Sequence, residues 1–448
     1  MRHFSRGMRR MTWRCGGMAT RCAVLVLVLQ FLMLSACTQR ANIVKFSDVD
    51  LTDVVIAISM NHQVRKIDIA EQRGYVILVR KDGSYSAIAT SGMGTQVPLW
   101  TRRFLYFSDR DKDYRLSTDG SERHISDFSK TSVQNHMLEV DENTVLGVYD
   151  KGATQERDNQ LQLVWYTPDP TNMTTVNTNR MHAIASCDGQ VYGIRRETPV
   201  LDDDFRLSLV ALTPGKPVRK IVSVDNENPS FEVHDAPNGV PCAAGRILLL
   251  ESLISDPDES FTPDDEPGDE PDDEPDDEPD DEPGGLPPLN APSTFRAVIK
   301  WWDVKTGDIQ TIPVRYPDGT ELGGERIMGF EYDPYCLDRD GRMLVVDSRT
   351  GTLRAVDSRT GTILQQIQPA LIEKENNGHF YLRATRDYAF LFFNAVSIGS
   401  YLPKLFVYRL HDLKPVAEIT FSPALIQLID NESNLHFTEF VPNPAIVF

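Results

Sequence analysis

Lysine and arginine are missing from residues 255–292, and aspartate and glutamate are missing from residues 1–36. With both stretches set aside, the rest of the 448-residue chain is only mildly acidic, roughly -8 of the formal -19. It has no clustered basic face, which excludes the usual footprint of a nucleic-acid binder. No apolar run reaches the roughly 20 residues that span a bilayer as a helix; AVLVLVLQFLML at 23–34 is shorter. Gly-x-Ser-x-Gly, His-Glu-x-x-His and phosphate-loop motifs are all absent. The nine histidines are scattered, and no two of them make a close pair suited to zinc. No segment shows a sustained 3.6-residue period with caps, apart from a doubtful turn near 369–376, so a helical bundle is excluded.

What residues 1–36 do contain is six arginines (2, 6, 9, 10, 14 and 21), then the apolar run 23–34, then the small residues Ser35 and Ala36. This order is that of a secretory signal. Leu34-Ser35-Ala36-Cys37 resembles the lipobox of bacterial lipoproteins. The resemblance implies that the Cys37 thiol receives a diacylglyceryl group and that the peptidase cuts just before it. Two or more acyl chains anchor a protein stably to a bilayer. The expectation is therefore a signal peptide at 1–36, a lipid-anchored tether at 37–52, and a protein facing the extracytoplasmic side of a cell membrane.

The basic gap at 255–292 holds seventeen acidic residues, with GDEPDDEPDDEPDDEP at 268–283 repeating every four. Proline at that spacing forbids a helix, and dense like charge opposes collapse. This stretch reads as a disordered insertion. A solvated spacer is favoured over a loose calcium sink or a docking strip for a basic partner.

The remaining body, 53–448, repeats itself. A polar turn followed by an apolar run recurs in ENTVLGVYD (142–150), CDGQVYGIR (187–195), AAGRILLLE (243–251), RDGRMLVVD (339–347) and TRDYAFLFF (385–393). WTRRFLYFS (100–108) and PNPAIVF (442–448) are weaker copies. Gly189 and Gly245 lie 56 residues apart; Gly245 and Gly341 lie 58 apart once the insertion is removed. A period of that size suits a four-stranded blade. The runs between turns are short and rich in β-branched and aromatic residues, as strands are. MLVVDSRTGTLRAVDSRTGTILQQI (343–367) reads as three strands joined by two SRTGT bends at opposite ends of the meander. Each bend needs Asp or Ser to turn locally and Gly to take positive φ. Such repeats resemble bacterial β-propellers of the quinoprotein-like and YVTN/WD40-like group. The expected fold is all-β: a propeller of four-stranded antiparallel blades, seven favoured and eight the rival. HFTEFV (436–441) and AIVF (445–448) are expected to complete a blade with N-terminal strands such as VVIAIS (54–59), which would remove open sheet edges.

Quinoprotein enzymes of that group use a cofactor stacked over tryptophan beside a pair of adjacent cysteines, and this chain has no Cys-Cys pair. No cofactor is expected. The best metal candidate is SDRDKDYRLSTDG, whose Asp109, Asp111 and Asp113 could converge on calcium in a loop. Tyr114 and Gly120 stand where a calcium-binding helix-loop-helix needs Gly and Glu, so a polar hairpin turn is the favoured reading. Cys187, Cys242 and Cys336 fall in step with the repeat. They read as three buried thiols at equivalent positions, or as one bridge, 187–242 or 242–336, if Cα atoms approach to about 4.4–6.8 Å. No catalytic residue stands out. The functional expectation is a membrane-anchored binding or scaffold propeller for envelope proteins or glycans. The alternative is a lactonase-like, metal-dependent hydrolase or lyase with its site at the central channel mouth.

Overall fold

The strands follow from the pattern just described. Runs such as Val54–His62, buried at every position, have apolar neighbours on both faces, as expected of sheets packed face to face. In the computed structural model the described residues are 42–62, 73–128, 130, 133–153, 159–167, 174–179, 181–197, 206–225, 238–254, 295–324, 329–369, 378–395, 402–431 and 435–448. Residues 1–36, the insertion 255–292 and most of the turn near 369–376 lie outside them. The unit Ile43–Phe448 consists of seven antiparallel meanders arranged as a β-propeller.

Each blade runs from the axis outward. Blade 1 is Leu435–Pro442, Val54–His62, Gly74–Arg80 and Tyr85–Thr90; blade 2 is Leu99–Trp100, Phe104–Ser108, Lys112–Ser117 and Arg123–Asp127. Blade 3 is Val133–Asp141, Thr144–Ala153, Asn159–Tyr166 and Thr174–Asn179; blade 4 is Met181–Cys187, Gln190–Arg196, Arg206–Leu212 and Arg219–Asp225. Blade 5 is Cys242–Ala243, Arg246–Ile254, Phe295–Asp303 and Ile309–Pro313; blade 6 is Phe330–Glu331, Arg342–Asp347, Leu353–Asp357 and Ile363–Ile367. Blade 7 is Gly378–Ala384, Tyr388–Ala395, Lys404–Arg409 and Pro415–Thr420. Apolar clusters fill the spaces between blades, so the core is divided among the interfaces and not gathered at the axis.

The ring closes as the sequence suggested. Leu435–Pro442 is the innermost strand of blade 1 and pairs antiparallel with Val54–His62, Ile58 opposite Phe440. AIVF differs from expectation: 443–448 follow the strand as a turn and tail, because Val54–His62 already occupies the second position of that blade. The nine-residue helix Pro423–Asn431 was not anticipated. It is short, but Ser422 precedes it, with its Oγ accepting from Ala424 N, and Pro423 opens its first turn, where a missing N–H costs nothing. The segment read as a tether is also different. From Ile43 it is docked: Ile43 and Val44 pair parallel with Ala87 and Ile88 on the outer edge of blade 1, and Val49 and Leu51 are buried.

First-to-second and third-to-fourth strand turns lie on one side of the disk, here called lower; second-to-third connections and links between blades lie on the upper side. The two SRTGT bends therefore sit on opposite sides, 348–352 upper and 358–362 lower. Both work alike. Asp347 Oδ1 accepts from Arg349 N and Thr350 N, Asp357 Oδ1 from Arg359 N, and Gly351 and Gly361 take φ of 69° and 73°. These side chains are used up inside their own turns.

Candidate functional site

A small half-open crevice, about 30 Å³, lies where blade 2 faces blade 3. Its blade 2 wall comes from strand register. Tyr106 pairs with Arg115, which pairs with His124; one step along, Ser108 pairs with Asp113, which pairs with Ser126. Residues two apart share a face, so this set turns toward blade 3, which contributes Met137 and Tyr166. The alternate residues Phe107, Tyr114 and Leu116 pack toward blade 1.

A buried polar network backs the crevice. Asp113 Oδ1 receives Ser108 Oγ at 2.6 Å, Tyr166 Oη at 3.2 Å and Lys130 Nζ at 2.8 Å. Lys130 also donates to Phe128 O at 2.8 Å, and its ammonium lies 5.8 Å from the centre of the Tyr149 ring. The Tyr149 hydroxyl lies 2.7 Å from that of Tyr166 and 3.0 Å from Ser108 Oγ. The two tyrosines lean over Gly147, where a Cβ would stand 2.9 Å from a ring carbon of each. Burial pushes the Asp113 carboxyl up, against the pull of Lys130, and pushes the Lys130 ammonium down, against the pull of Asp113. It also raises both phenols. Asp113 Oδ2 is buried and makes no hydrogen bond among the described residues.

The metal candidates do not converge. Asp109 Oδ1 accepts from Asp111 N and Lys112 N, and its Oδ2 from Ser91 N and the Tyr114 hydroxyl. Asp111 is half exposed beside Arg110, and Asp113 turns to Lys130. Among the described residues no three His, Cys, Asp or Glu side chains form a metal-binding group.

At the axis, carboxylates from different blades meet a guanidinium. Arg383 of blade 7 is 1% exposed; its Nη2 lies 2.6 Å from Glu439 of blade 1 and its Nη1 3.4 Å from Glu331 of blade 6. Burial raises both carboxyls, and Arg383 opposes the rise. Across the lower mouth, Tyr335 of blade 6 donates to Glu139 of blade 3 at 2.5 Å. These blades stand opposite each other in a ring of seven.

Cys187 and Cys242 end and begin the innermost strands of blades 4 and 5, with Cα atoms 5.4 Å apart, and they form a disulfide. Cys336 is buried and free, its sulfur accepting from Asp333 N. Of the two readings, three equivalent thiols (the favoured one) and one bridge, the structure holds the 187–242 bridge; Cys336 is not equivalent because it sits in a one-turn helix after its strand, Pro334–Cys336, and not on the strand itself. Cys37 lies outside the described residues. Lys130, Tyr149, Tyr166, Arg383, Glu331 and Glu439 carry no sequence motif. For Arg383 and Glu439 the one signal is a charge inside an otherwise apolar strand, as in HFTEFV.

No protein-family model and no curated protein matches this chain. Solved structures do. Apo AztD from Citrobacter koseri aligns over 87% of this chain and 99% of its own, with a TM-score of 0.44 and 10% identity. The β-propeller domain of the Trilobed protease from Pyrococcus furiosus aligns over 84% and 98%, with 0.43 and 10%. The Neurospora crassa Pan2 WD40 domain aligns over 74% and 85%, with 0.37 and 9%. Scores and identities this low carry no argument about ligand or activity; the seven-bladed architecture rests on the strand pairing of the chain itself.

Proposed function

We propose that the chain is an exported lipoprotein, acylated on Cys37, whose propeller binds an envelope protein or glycan without catalysing a reaction. The observation that carries the binding role is the crevice between blades 2 and 3. Aromatic walls there stand over the buried Asp113–Lys130 ion pair. Clefts that combine apolar walls with a few placed polar groups are the usual form of a binding site. The Cys187–Cys242 bridge supports an extracytoplasmic location, since disulfides persist in oxidising compartments. Against the metal-dependent alternative, the axial carboxylates Glu331 and Glu439 are engaged by Arg383 and hold no open set of ligands.

Two measurements test this reading. Cys37→Ser should accumulate as an unlipidated precursor by mass spectrometry; normal lipidation of that variant would refute the anchor. Tyr106→Ala with His124→Ala should keep the parent thermal midpoint while losing retention on immobilised envelope glycans or proteins. Metal-stimulated lactone hydrolysis by the parent, unaffected by those crevice substitutions, would instead favour the enzyme.

A further inference from the structure

Blade 5 begins away from its own sheet. Its first strand is only Cys242–Ala243, although the strand beside it, Arg246–Ile254, has nine residues to pair with. Residues 238–240, just ahead of it, bond to other blades instead. Asn238 Nδ2 donates to Pro98 O, at the entry to blade 2, at 3.2 Å, and to Met137 O on the innermost strand of blade 3 at 2.9 Å. Val240 N donates to Ile184 O on the innermost strand of blade 4 at 2.8 Å. Blades 3 and 4 stand between blades 2 and 5 in the ring, so a segment that touches all of them before entering blade 5 lies along the axis. The fit is close. Asn238 and Val240 are buried, and at Gly239, with φ of 89°, a Cβ would stand 2.8 Å from Ile184 O. Glycine alone suits such a backbone and such an approach.

Residues 238–243 thus fill the axis as a plug more than they extend a sheet. The foot of the plug is the Cys187–Cys242 bridge. Apart from the bridge, the foot is held by the two-residue ladder to Arg246 and Ile247 and by Leu248 N, which donates to Pro241 O at 2.9 Å. The net gain from each such hydrogen bond is small. The bridge is also approachable: Cys187 is buried, but Cys242 is only half-buried, two residues before the exposed Ala244 of the lower turn. Closure of the ring does not depend on it, since Leu435–Pro442 seals blade 1 on the other side of the axis.

We propose that the Cys187–Cys242 bridge is a redox-sensitive pin, whose reduction releases residues 238–243 from the axis while the ring stays closed. A dithiol protein supplies the electrons. One of its thiolates attacks the Cys242 sulfur, and Cys187 leaves as a thiolate and takes a proton. The second thiol of the reductant then displaces Cys242, so two electrons and two protons pass to the bridge and the reductant becomes a disulfide. Pin and plug are coupled, and the coupling runs both ways: a change that loosens the seat of the plug also makes the bridge easier to reduce. The test uses the oxidised full chain and its Asn238→Ala variant. Amide exchange is followed by mass spectrometry before and after dithiothreitol, and reduction of the bridge is titrated in glutathione buffers. In the parent, reduction should speed exchange across 238–248 several-fold and leave the strands of blades 1, 6 and 7 as protected as before. Asn238→Ala should shift the glutathione titration several-fold toward the reduced form. Unchanged exchange across 238–248, or protection lost evenly from all seven blades, would overturn the pin. So would a titration that Asn238→Ala does not move.

Discussion

Asp113 concentrates three donors on one oxygen, and one of them is an ammonium whose side chain is wholly buried. Taking both charges out of water is expensive, and the pair persists because each satisfies the other. Lys130→Met should therefore cost about 3–5 kcal/mol by urea unfolding, the usual loss when a buried charge is left alone. Adding Asp113→Leu should restore most of it; a double variant no better than the single would show that packing and not charge is at stake. Arg383 makes a pH-dependent case. Burial lifts the folded-state pKa of Glu331 and Glu439 above the unfolded value. Such an acid weakens the folded state as pH rises from the unfolded pKa through the folded one, because the unfolded chain gives up its proton first. Arg383 limits that effect. Arg383→Met should then be destabilised more at pH 8 than at pH 5, and an equal loss at both would mean the carboxyls do not feel the guanidinium.

Among the elements, the shortest inner strands are the informative ones. Blade 5 has only Cys242–Ala243 at the axis and blade 6 only Phe330–Glu331, so neither holds its place by ladder hydrogen bonds alone. A disulfide to blade 4 secures the first. Arg383 secures the second, helped by Asp333, whose Oδ2 accepts from Ala384 N at 2.8 Å. Blade 2, with Leu99–Trp100, is tied through its lead-in: Val97 N donates to Gln134 Oε1, and Asn238 Nδ2 donates to Pro98 O and Met137 O. The bridge spans 55 residues, and closing a loop of that length is worth about 4 kcal/mol on the chain-entropy account. Cys187→Ser should lower stability in chemical denaturation by about that amount, and dithiothreitol should reproduce the loss in the parent but add nothing to the variant. A variant as stable as its parent would show that the bridge constrains little.

For the whole molecule, closure is the decisive event. Leu435, Phe440 and Val441 are buried in the strand that joins the end of the chain to Val54–His62. A chain stopped before Leu435 leaves blade 1 without its inner strand and blade 7 without a neighbour. It should lose cooperative thermal unfolding by circular dichroism and become sensitive to limited proteolysis, whereas a parent-like transition would mean that six blades stand without the seal. The docked segment Ile43–Leu51 belongs to this scale too. It adds a parallel strand to the outer edge of blade 1 and fills the outer cleft toward blade 2.

Strands, turns, the repeat and the closing pair were legible in the sequence by itself, because strand pairing within a blade is local. Short runs of β-branched and aromatic residues, an Asp and a Gly at each bend, and a period near 56–58 residues suffice for it. RILLLES and FRAVIKW pair as the second and third strands of blade 5, again a local pairing. Only the tertiary structure decided which charged side chains meet, which two cysteines pair, and that the presumed tether is docked. Arg383 and Glu439 are 56 residues apart, and Tyr335 and Glu139 are 196 apart. Such contacts depend on how far each blade turns about the axis and how its inner strand is trimmed, and no spacing along the chain records that.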